Sequence, residues 1–520
     1  MGSSESLQKP SKRLLPKKWM WVEHQMHHPS LLFQEAARLF GTKIALIEGE
    51  QKLDYATYHK RVEQMAHSLK MMGLSPGDRL GILNKPGIDY VILLMACIHE
   101  GFVAVPISPR FPEKQIRSLL QKVGCSFLVS DRHEAIQGLQ VIPFETLITL
   151  TGMSIPLGAK PGLFFPNPKQ DATVIFTSGS TGEPKAVLHT YANHFFSALG
   201  SSLNIPFQTG HHWLLSLPLY HVGGMAILFR AILGGGTVVF QQKALPAEEQ
   251  LVQDKITHIS MVSTQLYRLL EQLEAHPERQ KDFAHLKVLL LGGGPITSGL
   301  YQKATAAGFP VYATYGCTEM ASQISTTPSE EVTTQQSQTT PANTDTLVNA
   351  GKRLPFRRMQ LSSTGELKVK GETLFKGYLE QDGKLRTARD EDGWFTASDL
   401  GQWDDEGYLH IIGRRDNVFI SGGENIQPEE IEEQLCQLPE ILQAMVVAVQ
   451  HPEFGKRPVA FLRTASNQLP SNQELQSLLE KRIPRFKIPD AFHPWPKLQQ
   501  KGLKPSRADF EKLAKGMLSV

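Results

Sequence analysis

Residues 177–187 read Thr-Ser-Gly-Ser-Thr-Gly-Glu-Pro-Lys-Ala-Val and lie between two apolar runs that are rich in β-branched residues. Glycine lets a backbone turn close to an anion. Hydroxyl and amide groups can then donate hydrogen bonds to phosphate oxygens while a lysine supplies positive charge. The stretch therefore predicts a loop that binds a polyphosphate.

The residues around the lysine exclude a Walker phosphate loop. That loop needs Gly-Lys-Ser/Thr at the start of a helix. Here Lys185 follows Pro184 and precedes the apolar residues 186–188, which are typical of a strand. We therefore predict a strand over 172–176, the loop, and a second strand over 186–190. A Gly/Ser surface loop without a ligand is the alternative that the composition of this stretch alone leaves open.

Length and charge limit the classes of protein to be considered. A chain of 520 residues is too long for one core, so we expect a large layered domain and a smaller one. The chain has 54 Lys and Arg against 51 Asp and Glu, a net charge of +3, which gives no reason to expect a nucleic-acid partner. Four scattered cysteines indicate a reducing compartment, and we predict the cytoplasm.

Two segments could be mistaken for targeting or membrane signals. Residues 1–19 lack an apolar core of the kind that a signal peptide needs, and we predict a disordered extension there. Residues 221–240 are largely apolar but include Arg230 and several glycines. A buried helix and strand explain this segment better than a membrane span.

Helical and strand patterns alternate through most of the chain. Residues 56–72 and 89–100 have helical patterns, whereas 79–83 and 102–107 are typical of strands. Such alternation predicts a mainly parallel sheet covered by helices on both faces. Two later strands, over 287–291 and 310–314, lead into Gly293-Gly294-Pro295 and into residues 315–319. These segments are expected at the carboxyl ends of strands, where open α/β sheets bind ligands.

The texture of the chain changes after residue 325. Residues 325–349 are rich in Ser, Thr and Gln and predict a mobile surface loop. Short strands over 366–369 and 408–412, with Asp399 between them, indicate a small β-barrel-like subregion. A domain boundary is expected near 413–417. We predict a large α/β domain over 20–415 and a small mobile α+β domain over 416–520.

Taken together, these motifs resemble the acyl-adenylate-forming (AMP-binding) superfamily of acyl- and aryl-CoA ligases, peptide-synthetase adenylation domains and luciferases. Residues 177–185 match its phosphate loop and residues 315–319 match its Y-G-x-T-E motif. Asp399 and Gly413-Arg414 match its ribose-binding pair. The resemblance covers nearly the whole chain after about residue 30.

Longer strings resemble the o-succinylbenzoate-CoA ligase family of menaquinone and phylloquinone synthesis. They are residues 189–194, 214–221, 290–295, 422–430, 453–459 and 502–507. The resemblance implies an acid–thiol ligase that uses ATP, Mg²⁺ and coenzyme A. The carboxylate of the acid would attack the α-phosphorus of ATP, and the thiol of coenzyme A would then displace AMP from the acyl-adenylate.

The resemblance also assigns roles to individual residues. Thr318 would donate to the α-phosphate, Glu319 would hold Mg²⁺, and Lys504 would bridge the acyl carboxylate and the α-phosphate. Tyr315 would stack on adenine, and Asp416 would be the hinge of the mobile domain. The residues expected to bind ATP are Thr177, Ser178, Gly179, Ser180, Thr181, Gly182, Lys185, Gly293, Gly294, Pro295, Tyr315, Gly316, Asp399 and Arg414.

Three positions depart from the family pattern. Ala186 follows the loop lysine where relatives have glycine, and Ile420 stands where many relatives have lysine. The ending Gly502-Leu503-Lys504 is one residue longer than the usual Gly-Lys, which leaves Lys501 as an alternative to Lys504.

Arg230 bears on the substrate because its apolar run follows residues 220–224, which by resemblance line the acyl pocket. o-Succinylbenzoate carries a second carboxylate, which a guanidinium can bind in bidentate fashion. We expect Arg230, with His194, to bind it, and His221 to line the pocket. The alternatives are that Arg230 reaches the surface or pairs with a protein carboxylate.

Other functions remain open at this point. The substrate could be another aryl or medium-chain acid. A peptide-synthetase module is disfavoured because no carrier-type Gly-Gly-x-Ser segment follows before Val520. A luciferase-like oxygenase or an inactive scaffold could share the fold, but a scaffold has no need of Lys504, Glu319 and Asp399 together. The expected partners are an aromatic carboxylic acid, ATP and coenzyme A, and a homo-oligomer is one of the open assembly states.

Overall fold

The computed structural model describes residues 29–131, 138–152, 168–177, 184–337, 348–438, 440–466, 468–496 and 506–518. The predicted extension at 1–19, the centre of the phosphate loop at 178–183, and both Lys501 and Lys504 lie outside the described residues.

The described strands are β1 Ile44–Glu48, β2 Gln51–Asp54, β3 Arg79–Leu83, β4 Val103–Pro106, β5 Phe127–Ser130, β6 Gln140–Pro143, β7 Asp171–Thr177, β8 Lys185–Thr190, β9 His212–Leu215, β10 Thr237–Phe240, β11 His258–Met261, β12 Val288–Gly292, β13 Val311–Cys317, β14 Ser322–Thr326, β15 Lys352–Arg353, β16 Arg357–Leu361, β17 Glu366–Gly371, β18 Gly377–Leu379, β19 Leu385–Arg386, β20 Phe395–Trp403, β21 Leu409–Arg414, β22 Phe419–Ser421, β23 Glu424–Ile426, β24 Ile441–His451, β25 Gly455–Thr464 and β26 Ala491–Pro494.

The described α-helices are α1 Pro29–Phe40, α2 Tyr55–Met71, α3 Ile88–Glu100, α4 Glu113–Lys122, α5 Phe144–Gly152, α6 Tyr191–Ser202, α7 Val222–Gly234, α8 Ala247–Gln253, α9 Ser263–Ala275, α10 Ser298–Ala306, α11 Ser329–Ser337, α12 Pro428–Cys436, α13 Asn472–Glu480 and α14 Arg507–Leu518.

Two large sheets form the N-terminal part of the chain. One has the strand order β15-β14-β13-β12-β11-β9-β10-β1-β2, and the other has the order β19-β18-β8-β7-β4-β3-β5-β6. Their central strands pair in parallel, whereas β14, β8 and β18 pair antiparallel to their neighbours. The predicted parallel sheet is thus two sheets, each of them mixed.

Helices fill the space between the two sheets. Helix α3 contacts β1 of one sheet and β4 and β7 of the other, and α6 contacts β7 and β14. Burial on both sides explains why α3 and α7 are apolar around nearly their whole circumference. Helices α3 and α7 each end at a glycine in the left-handed region, Gly101 with φ 87° and Gly235 with φ 76°, where a side chain would add strain.

The last third of the chain forms smaller units. Strands β16, β17, β20 and β21 make an antiparallel sheet with its own apolar cluster, as the sequence predicts for the barrel-like subregion. After it come a hairpin, β22-β23, and a three-stranded sheet, β24-β25-β26, packed against α12, α13 and α14. The fold is therefore α/β, with a large N-terminal domain and a smaller C-terminal domain.

The structure corrects two local predictions. Residues 325–349 are not simply a surface loop, because Ser325 and Thr326 lie in the buried strand β14 and Ser329–Ser337 is a helix. Strand β13 also continues through Tyr315 to Cys317, so most of this motif is strand rather than loop. Strand β14 can be buried because its polar side chains form hydrogen bonds with polar neighbours. It therefore lacks the apolar pattern from which a buried strand is predicted.

The described residues contain no helix that is long and apolar enough to cross a bilayer. The apolar residues 221–240 instead form helix α7 and strand β10, as the sequence predicts.

Candidate active site

The phosphate-loop segment closes a β-hairpin. Thr177 ends β7, Lys185 begins β8, and the two residues are partners across the antiparallel pair. Lys122 Nζ donates to the carbonyl of Pro184 at 3.3 Å and holds the end of the loop. The two predicted strands are confirmed, whereas residues 178–183 between them lie outside the described residues. No helix starts at Lys185, which agrees with the exclusion of a Walker loop.

The predicted adenine and ribose residues are joined by hydrogen bonds. The hydroxyl of Tyr315 donates to Asp399 Oδ2 at 2.6 Å, and Arg414 Nη1 lies 3.4 Å from Asp399 Oδ1. The same guanidinium donates to Asp416 Oδ2 at 3.1 Å. Burial, and then the Asp399 carboxylate, raise the pKa of Tyr315, so its hydroxyl remains a donor. One chain of contacts thus runs from the predicted nucleotide site to the predicted hinge.

The glycine turn lies beside Tyr315 because β12 and β13 are parallel neighbours, with Gly292 opposite Thr314. Gly293 has φ 80° and its neighbours in the turn are exposed. Ser263 Oγ donates to the carbonyl of Pro295 at 2.7 Å and anchors the far side of the turn. The glycine turn and the carboxyl-terminal part of β13 therefore lie at the same edge of the sheet.

Tyr378 contacts both Lys185, a predicted phosphate-binding residue, and Glu319, the predicted metal ligand. Its hydroxyl donates to Glu319 Oε1 at 2.7 Å, and Lys185 Nζ lies 5.6 Å from the centre of its ring. Burial and the nearby Glu319 carboxylate raise the pKa of Tyr378, so the hydroxyl donates rather than ionises. Strand β18 brings Tyr378 here because it pairs with β8, where Tyr378 faces Val187.

A buried histidine pair supports Thr318 from behind. His189 Nε2 donates to the carbonyl of Thr318 at 2.7 Å, and the hydroxyl of Thr173 lies 2.8 Å from His194 Nε2. Burial lowers the pKa of His189 to about 4 and that of His194 well below its ordinary value. Both rings are therefore neutral at physiological pH, and they form hydrogen bonds without adding charge behind Thr318.

Arg230 is fully enclosed in helix α7, with 1% of its surface exposed. Its Nη2 donates to Gln323 Oε1 at 2.5 Å, and its guanidinium lies 5.0 Å from the ring centre of Trp213. Among the described residues no carboxylate forms a salt bridge with it, and its Nε has no hydrogen-bond partner. Burial lowers its pKa to about 9. Arg230 therefore neither reaches the surface nor pairs with a described carboxylate.

The other two predicted acyl-site residues flank this region. The ring of His194 stacks on Phe229, the residue before Arg230, with centroids 5.0 Å apart. Within the described ranges no hydrogen bond or ring contact joins His194 to Arg230 itself. His221 is exposed and is the N-cap residue of α7.

A strained turn separates the Glu319 side of the site from Gln323. Ala321 and Ser322 both have positive φ, 52° and 115°. Non-glycine residues in such conformations cost about 1–3 kcal/mol each, and they persist where the surroundings hold them. Ser197 Oγ donates to the carbonyl of Ala321 at 2.7 Å. The turn reverses the chain so that β14 returns alongside β13.

The small domain touches the large one beside this site. Glu433 on α12 accepts hydrogen bonds from Ser298 Oγ at 2.8 Å and from Ser298 N at 3.4 Å, at the start of α10. Further along, Arg507 Nη1 donates to Glu432 Oε1 at 2.7 Å. Arg507 thus fixes the chain shortly after the position of Lys504, which itself lies outside the described residues.

Comparisons with known proteins agree with this geometry. The model of the AMP-binding enzyme family matches residues 33–379, and that of the AMP-binding enzyme C-terminal domain matches residues 430–503. The chain belongs to the AMP-binding enzyme family.

Curated relatives of this AMP-binding enzyme include 2-succinylbenzoate–CoA ligases. That of Bacillus pumilus (strain SAFR-032) is 34% identical over 462 residues, which span 87% of this chain and 91% of the relative. That of Bacillus subtilis (strain 168) is 31% identical over 479 residues, 89% of this chain and 93% of the relative.

Solved structures of o-succinylbenzoate CoA synthetase from Bacillus subtilis are also similar. The complex with the acyl-adenylate intermediate has a TM-score of 0.78 at 29% identity, covering 92% of this chain and 98% of that one. The complex with ATP and magnesium ion has a TM-score of 0.77 at 30% identity, with the same coverage.

The sequence analysis did not single out Tyr378 or Gln323, and it cited His189 only as part of the string 189–194. Each of the three contacts a predicted site residue in this AMP-binding enzyme. For Gln323 a signal existed. Apart from Ile324, residues 322–327 are polar and directly follow Glu319-Met320-Ala321. A largely polar segment that is buried as a strand must satisfy its polar side chains inside the protein. For Tyr378 the single sequence offers no comparable pattern.

Proposed function

We propose that this AMP-binding enzyme ligates o-succinylbenzoate to coenzyme A in menaquinone biosynthesis, in the cytoplasm, through an acyl-adenylate and with release of AMP and pyrophosphate. The observation that carries the choice of acid is Arg230, a buried cation without a described carboxylate partner. A dicarboxylic acid can leave one carboxylate there while the other reacts. A monocarboxylic aryl or medium-chain acid would leave that charge unpaired.

The residues around the nucleotide have roles that their contacts support. Tyr315 and the turn at Gly293-Gly294-Pro295 flank the adenine. Asp399 accepts hydrogen bonds from the ribose hydroxyls in place of those it now accepts from Tyr315 and Arg414. Thr177, Lys185 and the loop between them bind the β- and γ-phosphates. Thr318 donates to the α-phosphate, with its backbone held by His189. Donors fixed in advance in this way stabilise developing charge.

The carboxylate of Glu319 fits Mg²⁺. Tyr378 holds Oε1 of this carboxylate, and the described residues contain no cluster of three or more metal-binding side chains. Mg²⁺ typically takes one or two protein carboxylates and completes its shell with phosphate oxygens and water. When bound, it would neutralise phosphate charge during attack of the acid. The residues of the chain orient the phosphates around it.

We assign the chain two functional units, a large ATP- and acid-binding domain over 20–415 and a small mobile domain over 416–520. The small domain carries Lys504, and Asp416 is the hinge. Two observations support this division. Asp416 lies in a short turn directly after β21, and the sheets on either side of it have separate apolar clusters.

The substrate assignment is tested with a panel of acids. AMP formation that depends on coenzyme A should show its highest kcat/KM with o-succinylbenzoate. Benzoate-type and medium-chain monoacids should be weaker because they cannot pair with Arg230. A monoacid that equals or exceeds o-succinylbenzoate in this assay would transfer the assignment to the generic aryl-CoA ligase.

Tyr378→Phe should raise the KM for Mg-ATP by about 10- to 100-fold, because a hydrogen bond to a charged group contributes about 1.5–3 kcal/mol. KM for Mg-ATP is measured at saturating acid and coenzyme A. Tyr267→Phe is the matched control, since the Tyr267 hydroxyl donates to Glu271 at 2.9 Å on a surface helix. An unchanged KM in Tyr378→Phe, or an equal change in the control, would remove Tyr378 from the metal side of the site.

A further inference from the structure

Gln323 lies at the centre of a buried polar cluster and is 3% exposed. Its amide oxygen accepts hydrogen bonds from Arg230 Nη2 at 2.5 Å and from Ser201 Oγ at 2.6 Å. Its amide nitrogen donates to Thr326 Oγ1 at 2.8 Å and points towards Thr314 Oγ1 at 3.4 Å. A guanidinium can only donate, so the oxygen of the amide must face Arg230.

A second buried arginine makes this cluster strongly cationic. Arg357 is 1% exposed, and its Nε donates to the backbone carbonyl of Gln323 at 2.9 Å. Its remaining donors are directed at the carbonyls of Phe196, Pro355 and Ser197 and at the hydroxyl of Ser197. Burial lowers the pKa of both arginines to about 9. No described carboxylate is paired with either, and Arg357 has no nitrogen to spare.

The two guanidiniums differ in whether all of their hydrogen-bond donors are used. Arg357 is saturated by oxygens of the protein, whereas Nε of Arg230 lacks a partner in the described part of the chain. A carboxylate bound at Arg230 could accept a charge-assisted hydrogen bond from Nε without breaking a hydrogen bond described for that atom.

Strand pairing places this cluster next to the nucleotide residues. Gln323 is the direct partner of Gly316 across β13 and β14. A Cβ added at Gly316 would lie 2.1 Å from the carbonyl of Ser322, so the two strands are in close contact here. Arg230, which is hydrogen-bonded to Gln323, therefore lies close to the strand that carries Tyr315 and leads to Thr318.

We propose that Gln323 is the positioning residue that sets selectivity for dicarboxylic acids, because its neutral amide orients the Arg230 guanidinium while leaving the positive charge available to the second carboxylate. This inference rests on the proposed function, in which Arg230 binds that carboxylate. A glutamate at the same place would hold the guanidinium equally well but would neutralise it and repel a second anion.

The test compares the parent enzyme with Gln323→Glu on o-succinylbenzoate and on a benzoate-type monoacid. Like charges brought together cost several kcal/mol, so kcat/KM for the diacid should fall by about 100-fold. The fall should appear mainly in KM, and the monoacid should change less than about threefold. Gln323→Met removes the acceptor without adding charge. It should lower kcat/KM for the diacid by about tenfold and leave kcat/KM for the monoacid nearly unchanged.

Gln250→Glu is the matched control. Gln250 is also fully buried, on α8, and its amide accepts from Gln242 N and donates to the carbonyl of Phe240. This variant reports what a new buried carboxylate does to the fold alone, followed by thermal unfolding, and it should leave the ratio of diacid to monoacid activity unchanged.

The outcomes separate the two proposals. A parent enzyme without preference for the diacid contradicts the proposed function. A parent that prefers the diacid, with folded Gln323→Glu retaining that preference, overturns the role of Gln323 alone. Equal losses on both acids in Gln323→Met would make Gln323 structural, and this arm decides the question if Gln323→Glu does not fold.

Discussion

Arg230→Ala should lower kcat/KM for o-succinylbenzoate by an amount that corresponds to about 3–5 kcal/mol of transition-state stabilisation. This is the usual loss when a buried charge is deprived of its partner. The kcat/KM for a benzoate-type monoacid should fall little or even rise, because the variant no longer presents an unpaired cation to the apolar part of that acid. The measurement is CoA-dependent AMP formation with each acid over a range of concentrations.

Arg357→Lys provides the comparison for Arg230. Both arginines are fully buried, and burial lowers the pKa of each to about 9, but the hydrogen bonds of Arg357 go to backbone carbonyls and a serine hydroxyl. Its replacement should lower the thermal unfolding temperature and leave the ratio between the two acids unchanged. If Arg230→Ala instead weakens both acids equally, Arg230 is structural and the substrate assignment becomes the generic aryl-CoA ligase.

Lys504→Ala should abolish most of the adenylation half-reaction, by about two to three orders of magnitude, the cost of deleting one preorganised donor. Thioester formation from supplied acyl-adenylate should survive, because in the proposed hinge account the small domain would turn about Asp416 and take Lys504 out of the site in the second step. Pyrophosphate release and thioester formation are measured separately by single-turnover assays.

Lys501→Ala is the paired variant for this experiment. It should leave adenylation within about threefold of the parent, since the proposed assignment gives the contact with the reacting groups to Lys504 and not to Lys501. A large loss in Lys501→Ala with Lys504→Ala unaffected would move the role to Lys501. Parallel losses of both half-reactions in folded Lys504→Ala would contradict the hinge account.

The parts of the fold that could be predicted are those in which hydrophobic period and glycine position agree. The hairpin around the phosphate loop was predictable because a β-branched run lies on each side of a glycine-rich turn. Helix α7 was predictable because glycines flank its apolar run. The family was recognisable from the order of its motifs along the chain, whereas the nucleotide-binding roles of the individual residues stay a prediction.

The rest depends on contacts between segments far apart in sequence. Strand β14 is polar and yet buried, because Ser201, Arg230 and Thr314 lie near the side chain of Gln323 from three other elements. A period of apolar residues cannot reveal burial of that kind. Tyr378 was invisible for the same reason, because its contact with Glu319 spans 59 positions of the chain.

Arg230 and Arg357, neither of which forms a salt bridge with a described carboxylate, would also link substrate supply to the stability of the folded protein if the proposed function holds. The pKa of each, about 9 in the folded chain, lies below the ordinary 12.5, so at neutral pH both are charged in the folded and unfolded states. Without a bound acid, the folded protein therefore bears the full cost of burying two charged guanidiniums, which lowers its free energy of unfolding. This cost would decrease only as the pH rises above 9 and the arginines lose their protons in the folded state. By mass action, a dicarboxylate bound at Arg230, as proposed, would stabilise the folded protein. Depletion of the acid would thereby shorten the lifetime of the enzyme in the cell.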